Sequence, residues 1–389
     1  MRLKSPLLAI AMTASTVSVP AWAIELDFNG FISVGGGISS NDELNLDIDY
    51  NEDVSFDEDS ILGIQTTAAI NDKMSLTAQL VARGKDDYDL EAEWAFVSYE
   101  INDEAYGRAG RLRVPFFAYS ESIDVGYSYH WIRPPSEVYR LPFSSIDGVD
   151  ANYTTWLTDD WETSAQVYFG TYSDEVDVFG QESELDLKNG TGLVLTANYD
   201  WLTLRGSVHY ATVTVTNDDI EALDSALRNP LLPGGPYDSV ADDIAVDEND
   251  VMFYEAAVLA DYNDYIFVAE WTMLDYDRSA IPDDTGWMIS VGKRIGAFTP
   301  HLTFAKEEDD GETGFSDPVP AGITLPDGRD LKAVVDGLET EALQESWIAG
   351  VRWDVMPSAA LKFEAQYTDR KEPEDDDTMI YSVVLDAVF

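Results

Sequence analysis

The chain has 389 residues, no cysteine, and 74 acidic residues against 23 basic ones, a formal net charge of −51 at pH 7. Without cysteine there are no disulfides, thiolate metal sites or lipid-modified cysteine anchors. So strong a negative charge repels phosphate, which excludes a nucleic-acid partner.

The chain opens on Arg2 and Lys4, continues through an apolar stretch over 7–19, and reaches a small-x-small site at Ala21-Trp22-Ala23. This order predicts a cleaved export signal over 1–23, too short to span a membrane. No other run approaches the roughly 18 apolar residues of a membrane helix. No Pro/Gly/Ser-rich linker, composition shift or fixed-period repeat divides 24–389, which reads as one domain.

From there the sequence alternates polar and apolar residues with period two. Sixteen strands are predicted, at 24–35, 60–70, 73–83, 91–101, 104–114, 148–157, 161–172, 189–199, 202–213, 251–262, 265–274, 285–295, 298–307, 345–355, 358–369 and 378–389. Seven tight turns join them, including Asn71-Asp72, Asn102-Asp103, Asn263-Asp264 and Gly296-Ala297, with residues suited to positive or preset φ. Eight longer, mostly acidic loops alternate strictly with the turns, and three of them (115–147, 214–250 and 308–344) exceed thirty residues. Connections sorted by parity fit an all-β fold, a closed transmembrane up-and-down barrel with turns at one rim and loops at the other; a soluble sandwich has no reason for that sorting. An even strand number puts both termini on the turn side, which in outer-membrane barrels is periplasmic.

Facing follows from parity. In the last strand Met379, Tyr381, Val383, Leu385, Ala387 and Phe389 share one side, while Thr378, Ser382 and Asp386 share the other. One apolar side alone would also fit a soluble core, but polar second faces on sixteen strands would line a wide wet lumen. Trp94, Tyr99, Trp161, Tyr199, Tyr262, Trp287 and Trp353, near strand ends, are assigned to interfacial girdles.

With its export signal, its first strand Leu26-Asp27-Phe28-Asn29-Gly30-Phe31, its sixteen strands and its final Phe389 preceded by alternating hydrophobic residues, the chain resembles the Gram-negative outer-membrane porins. Ala387 departs from that pattern, where a bulkier residue is usual. The resemblance implies a homotrimer of barrels in outer-membrane lipid and lipopolysaccharide, each passing ions and small hydrophilic solutes, with Phe389 as the signal read by the outer-membrane assembly machinery. It also implies that the third loop, 115–147, folds inward as the constriction. That loop is rich in aromatics and prolines, which lower the entropy cost of one fixed conformation. The glycine-rich eyelet motif of well-known members is absent, so order and length carry the assignment. A loop packed over the mouth, or at the trimer contact, is the alternative.

The acidic excess lies in runs at 42–59, 174–186, 242–250, 307–312 and 372–377. Hydration of an exposed surface is the expected reason for them, with divalent cations bridging the loops to each other or to lipid phosphates as the alternative; none has the spacing of an EF-hand calcium loop. Basic residues instead fall within strands. Arg205, Arg294, Arg352 and Lys362 are expected on the lumen wall, since arginine on a lipid face costs roughly 2–4 kcal/mol at the midplane. The expected constriction set is Arg83, Arg108, Arg111 and Arg113 on the wall with Glu121, Asp124, His130, Arg133, Glu137 and Arg140 in the third loop. Two outcomes are open: a locally basic, anion-tolerant constriction, or arginines paired with Glu91, Glu93, Glu255, Glu270 and Glu364 that leave no selectivity.

The three histidines, His130, His209 and His301, accompany no nucleophile elbow, zinc-binding helix or phosphate-cradling glycine loop, so neither an enzyme nor a cofactor is expected. The competing readings are a substrate-specific channel for a sugar or small organic acid, recognised by Tyr127, Tyr129, His130, Trp131, Arg133 and Tyr139, and a receptor or adhesin built on the long loops.

Overall fold

In the computed structural model, residues 25–40, 48, 50–178, 181–276, 282–310, 314–326, 328–338, 342–372 and 376–389 are described. The expected signal over 1–23 lies outside them. The strands are β1 (Glu25–Ser39), β2 (Ile61–Asn71), β3 (Met74–Arg83), β4 (Leu90–Asn102), β5 (Ala105–Arg113), β6 (Ser145–Trp156), β7 (Glu162–Val178) and β8 (Gln181–Tyr199). They continue as β9 (Leu202–Thr216), β10 (Asn249–Tyr262), β11 (Tyr265–Tyr276), β12 (Asp283–Lys293), β13 (Phe298–Asp310), β14 (Ala342–Met356), β15 (Ala359–Glu372) and β16 (Asp376–Val388). Each pairs antiparallel with its sequence neighbours, and β1 pairs with β16 to close the barrel. The ladder thereby closes on itself with no open edge, the condition for crossing a bilayer with strands.

The turns behave as their residues dictate. Asn263 and Asp264 adopt φ of 51° and 67°, and Gly296 adopts 65°, the left-handed conformations a two-residue hairpin needs. At Asn71 and Asn102 the side-chain oxygen accepts the amide two residues on, at 2.9 Å in both cases.

The outward positions form an apolar belt in which Phe28, Ile64, Val167, Leu195, Leu302, Phe363, Tyr381, Val383 and Leu385 are all exposed. So much contiguous apolar surface around the sheet is a lipid-facing wall. Aromatic contacts link neighbouring hairpins at the turn-side edge, where Trp161 meets Tyr199 at 5.2 Å and Trp201 meets Tyr262 at 5.3 Å. A second series, Trp287–Phe304–Trp347, spans β12 to β14 with centroids 5.3 and 4.8 Å apart.

Trp94 is not in either girdle. Gln79 pairs with Trp94 and Leu80 with Ala92, so Glu93 is an extra residue, a β-bulge. Trp94 shares the inner face with buried Gln79, which bonds Gln65 at 3.1 Å. The bulge thus turns both Glu93 and Trp94 toward the interior.

Two loop expectations are also corrected. The acidic run 174–186 is largely not a loop, because β7 and β8 continue through it as a hairpin. Leu185 and Leu187 there pack with Val213, Val215 and Val251, which gives the extension its own apolar footing. The fifth and seventh loops contain helices α1 (Asp218–Leu227), α2 (Asp238–Ile244) and α3 (Leu331–Asp336). Leu227, Val240, Phe315, Leu331 and Val335 form a separate buried core among them. Asn217 and Asp330 cap α1 and α3 by accepting the amides of Ile220 and Ala333.

Candidate pore constriction

The third loop, 114–144, lies inside the barrel. It begins where β5 ends at Arg113, and its first aromatics pack on a patch of the inner wall that is itself apolar. Phe253, Val268, Met288 and Ala305, from β10 to β13, point inward and join Phe116, Phe117, Tyr129, Trp131 and Val138 in one buried cluster. The expectation of a uniformly polar inner face therefore fails on this side: the wall is dry where the loop covers it. Phe116 stacks edge-on against Phe253 at 5.3 Å and lies 5.0 Å from His209.

Polar contacts fix the loop in register. The Trp131 indole donates to Thr303 Oγ1 at 2.8 Å, and His130 Nε2 lies 2.8 Å from Ser290 Oγ. Burial pushes the His130 imidazole well below its ordinary pKa, reinforced by His301 and Lys362 nearby. The amides of Ala118 and Ile132 donate to Glu270 and Glu364 at 2.8 and 2.9 Å, and the Tyr139 hydroxyl also donates to Glu270, at 2.5 Å. A carboxylate receiving such donors needs no arginine, so the expected pairing of Glu270 with a basic residue is replaced by loop anchoring.

The basic residues are neutralised one by one. Arg83 bonds Glu91 and Asp124, both at 2.8 Å, together with Glu93. Arg113 pairs with the same Asp124 and reaches Glu93 at 3.3 Å. Arg108 grips Asp150 through Nε at 2.9 and 3.1 Å, while Glu121 stands 3.8 Å from its Nη1. Arg133 bonds both oxygens of Asp59 at 2.7 Å. Arg140 meets Asp284 at 2.7 Å, with Glu307 and Asp309 also in contact, and Arg205 pairs with Glu255. Among the described residues, Arg111 is a lumen-strand arginine that no ion pair reaches, and its Nε lacks a hydrogen-bond partner.

On the opposite stretch of wall, Arg352 donates to the carbonyls of Tyr127 and Tyr129 at 2.6 and 2.8 Å and bonds Asp354 at 2.8 Å. Lys362 is buried, 2.8 Å from Asp386 and 2.6 Å from the Gly126 carbonyl. Glu137 is buried too and accepts from Gln344 at 3.2 Å. Arg294 sits apart from all of these. It follows the end of β12 at the turn-side rim and pairs with Asp261 at 2.6 Å, so it is a rim residue and not part of the mid-barrel wall. Phe389 exchanges two backbone bonds with Gly30, at 2.8 and 2.9 Å. Its ring occupies the space of a Gly30 side chain, where a Cβ would lie 2.5 Å away.

Sequence reasoning missed Asp59, Asp150, Asp284 and Asp386 as partners. For Asp150 and Asp386 the available signal was an acid at an inward strand position; Asp59 and Asp284 stand at strand starts and read as loop charge. The loop leaves one side of the interior open. Gln65, Ser98, Tyr106, Arg108, Asn152 and Gln166, on β2 and β4 to β7, remain partly accessible, whereas the inner faces of β12 to β16 are almost wholly buried.

No protein-family model matches the sequence, and no curated protein matches it. Solved structures do. OmpT of Vibrio cholerae, in a loop L8 deletion form, superposes with a TM-score of 0.56 at 11% identity, covering 94% of this chain and 100% of that one. The channel DcaP of Acinetobacter baumannii gives 0.56 at 10% identity over 94% and 97%, and an anion-selective porin from Comamonas acidovorans gives 0.52 at 11% over 94% and 100%. The chain folds as a sixteen-stranded barrel of the outer-membrane porin type.

Proposed function

We propose that the protein is a passive outer-membrane channel for ions and small hydrophilic solutes, exported through a cleaved signal and assembled as a homotrimer. The observation that carries this reading is the inward third loop, which narrows a closed, externally apolar barrel on one side and leaves a polar passage on the other. The three histidines lie away from that passage: His130, His209 and His301 are all buried, the first two against the hydroxyls of Ser290 and Ser207.

The passage favours cations. Arg83, Arg108, Arg113, Arg133, Arg140 and Arg205 each face at least one carboxylate, and Glu121 remains exposed beside an arginine that Asp150 already satisfies. Of the two outcomes open from sequence, pairing is the better supported, with carboxylate to spare. A general pore is preferred over a sugar-specific one because Tyr129, His130 and Trp131 are buried against the wall and unable to stack on a passing solute. The test is single-channel recording in planar bilayers under a salt gradient. Ohmic steps with a cation-selective reversal potential, unaffected by millimolar sugars or dicarboxylates, are expected; anion selectivity or solute-dependent block would overturn the corresponding part.

A further inference from the structure

Every closed barrel has one seam where strands distant in sequence must meet, and here it is β1 against β16. The β1 side is built lightly: Gly35, Gly36 and Gly37 are consecutive and contribute no side chains to the wall. What fills their place comes from elsewhere. A Cβ on Gly35 would lie 2.5 Å from Asp59 Cβ, and one on Gly37 would lie 2.4 Å from the Tyr50 ring.

The third loop crosses this seam on the inside. Ser33 of β1 donates to Asp386 of β16 at 2.6 Å, and the other oxygen of Asp386 lies 2.8 Å from the ammonium of Lys362 on β15. That ammonium donates to the carbonyls of Gly126 and Trp131 and stands 4.8 Å from the Tyr129 ring. Gly126 is pressed against the seam so closely that a Cβ would fall 2.4 Å from Asp386 Oδ1 and 3.1 Å from Ser33 Oγ. To one side Arg352 of β14 holds the carbonyls of Tyr127 and Tyr129; to the other Arg133 reaches Asp59, which the Tyr50 hydroxyl also bonds at 2.7 Å. Residues 126–133 therefore bridge β14, β15, β16, β1 and the first loop in one buried polar network.

We propose that this segment is a clasp that keeps the β1–β16 seam shut, with the Lys362–Asp386 pair as its pin. The constriction loop then has a second task, independent of what the pore conducts. Removing one member of a buried charge pair leaves the other unpaired, which is the strongly destabilising direction. The effect should be local, because opening free energies differ between cooperative units of one structure.

Amide hydrogen exchange on the full-length protein in lipid nanodiscs tests it. In Lys362→Met the amides of 34–39 and 380–386 should exchange roughly tenfold faster than in the parent, while the β7–β8 hairpin is unchanged. Tyr139→Phe, which cuts the loop's contact with Glu270 of β11, outside 126–133, should leave the seam as it was. If Lys362→Met fails to assemble, Arg352→Met gives the same readout from the neighbouring strand. Unchanged seam exchange, or equal acceleration in β7–β8, would overturn the proposal.

Discussion

At the scale of single residues the lumen is governed by how each charge is matched. Asp124 is the shared counter-ion of Arg83 and Arg113, whose side chains are only 13% and 4% exposed. Asp124→Asn leaves two guanidinium groups with Glu91 and Glu93 as their remaining acids. The reversal potential should move toward anions, and the loop should lose stability by about 3–5 kcal/mol, the usual cost of breaking a buried pair. Glu121→Gln is the contrasting change. Its carboxylate is 63% exposed and 3.8 Å from Arg108, an arrangement worth about 0–1 kcal/mol. Stability should hold while cation selectivity falls, and thermal unfolding alongside bilayer recordings separates the two responses.

At the scale of elements, the third loop behaves as a docked core segment rather than a swinging gate. Trp131 is fully buried and bonded to Thr303, so Trp131→Ala removes both packing and a polar anchor, a loss of about 3–5 kcal/mol. The expected result is an intact barrel with a loosened loop, read as noisier conductance and faster proteolytic nicking within 114–144. All sixteen strands were legible in the sequence because a bilayer wall enforces period two on every one of them. The hairpin beyond Tyr172 was not, since Asp174-Glu175-Val176-Asp177 reads as a charged loop until Leu185 and Leu187 are seen packing on β9. Trp94 was misplaced because it was assigned by nearness to a strand end, whereas its spacing from Phe96 and Ser98 puts it on the inward face, opposite Gln79. The inward fold of the third loop was legible only through order and length. Its docking site was hidden because Phe253, Val268, Met288 and Ala305 are apolar at positions that strand alternation assigns to water.

At the scale of the whole molecule, the two faces of the wall must answer oppositely to one and the same side chain. Val167 is 49% exposed on the outer face of β7, several residues above the turn rim and within the apolar band. Gln166, its neighbour, points inward and donates to Asp150 at 2.9 Å. An arginine at 167 has only acyl chains around it and should cost roughly 2–4 kcal/mol. An arginine at 166 meets water and the Asp150 carboxylate, so it should fold with close to parental stability. Unfolding in lipid vesicles across a urea series measures both variants under one condition. A soluble two-sheet sandwich would bury the same apolar position 167 in its core and give the same order of midpoints, so the orientation toward lipid is read by a fluorophore placed at each position in turn: quencher-bearing lipid should dim it at 167 and leave it unchanged at 166.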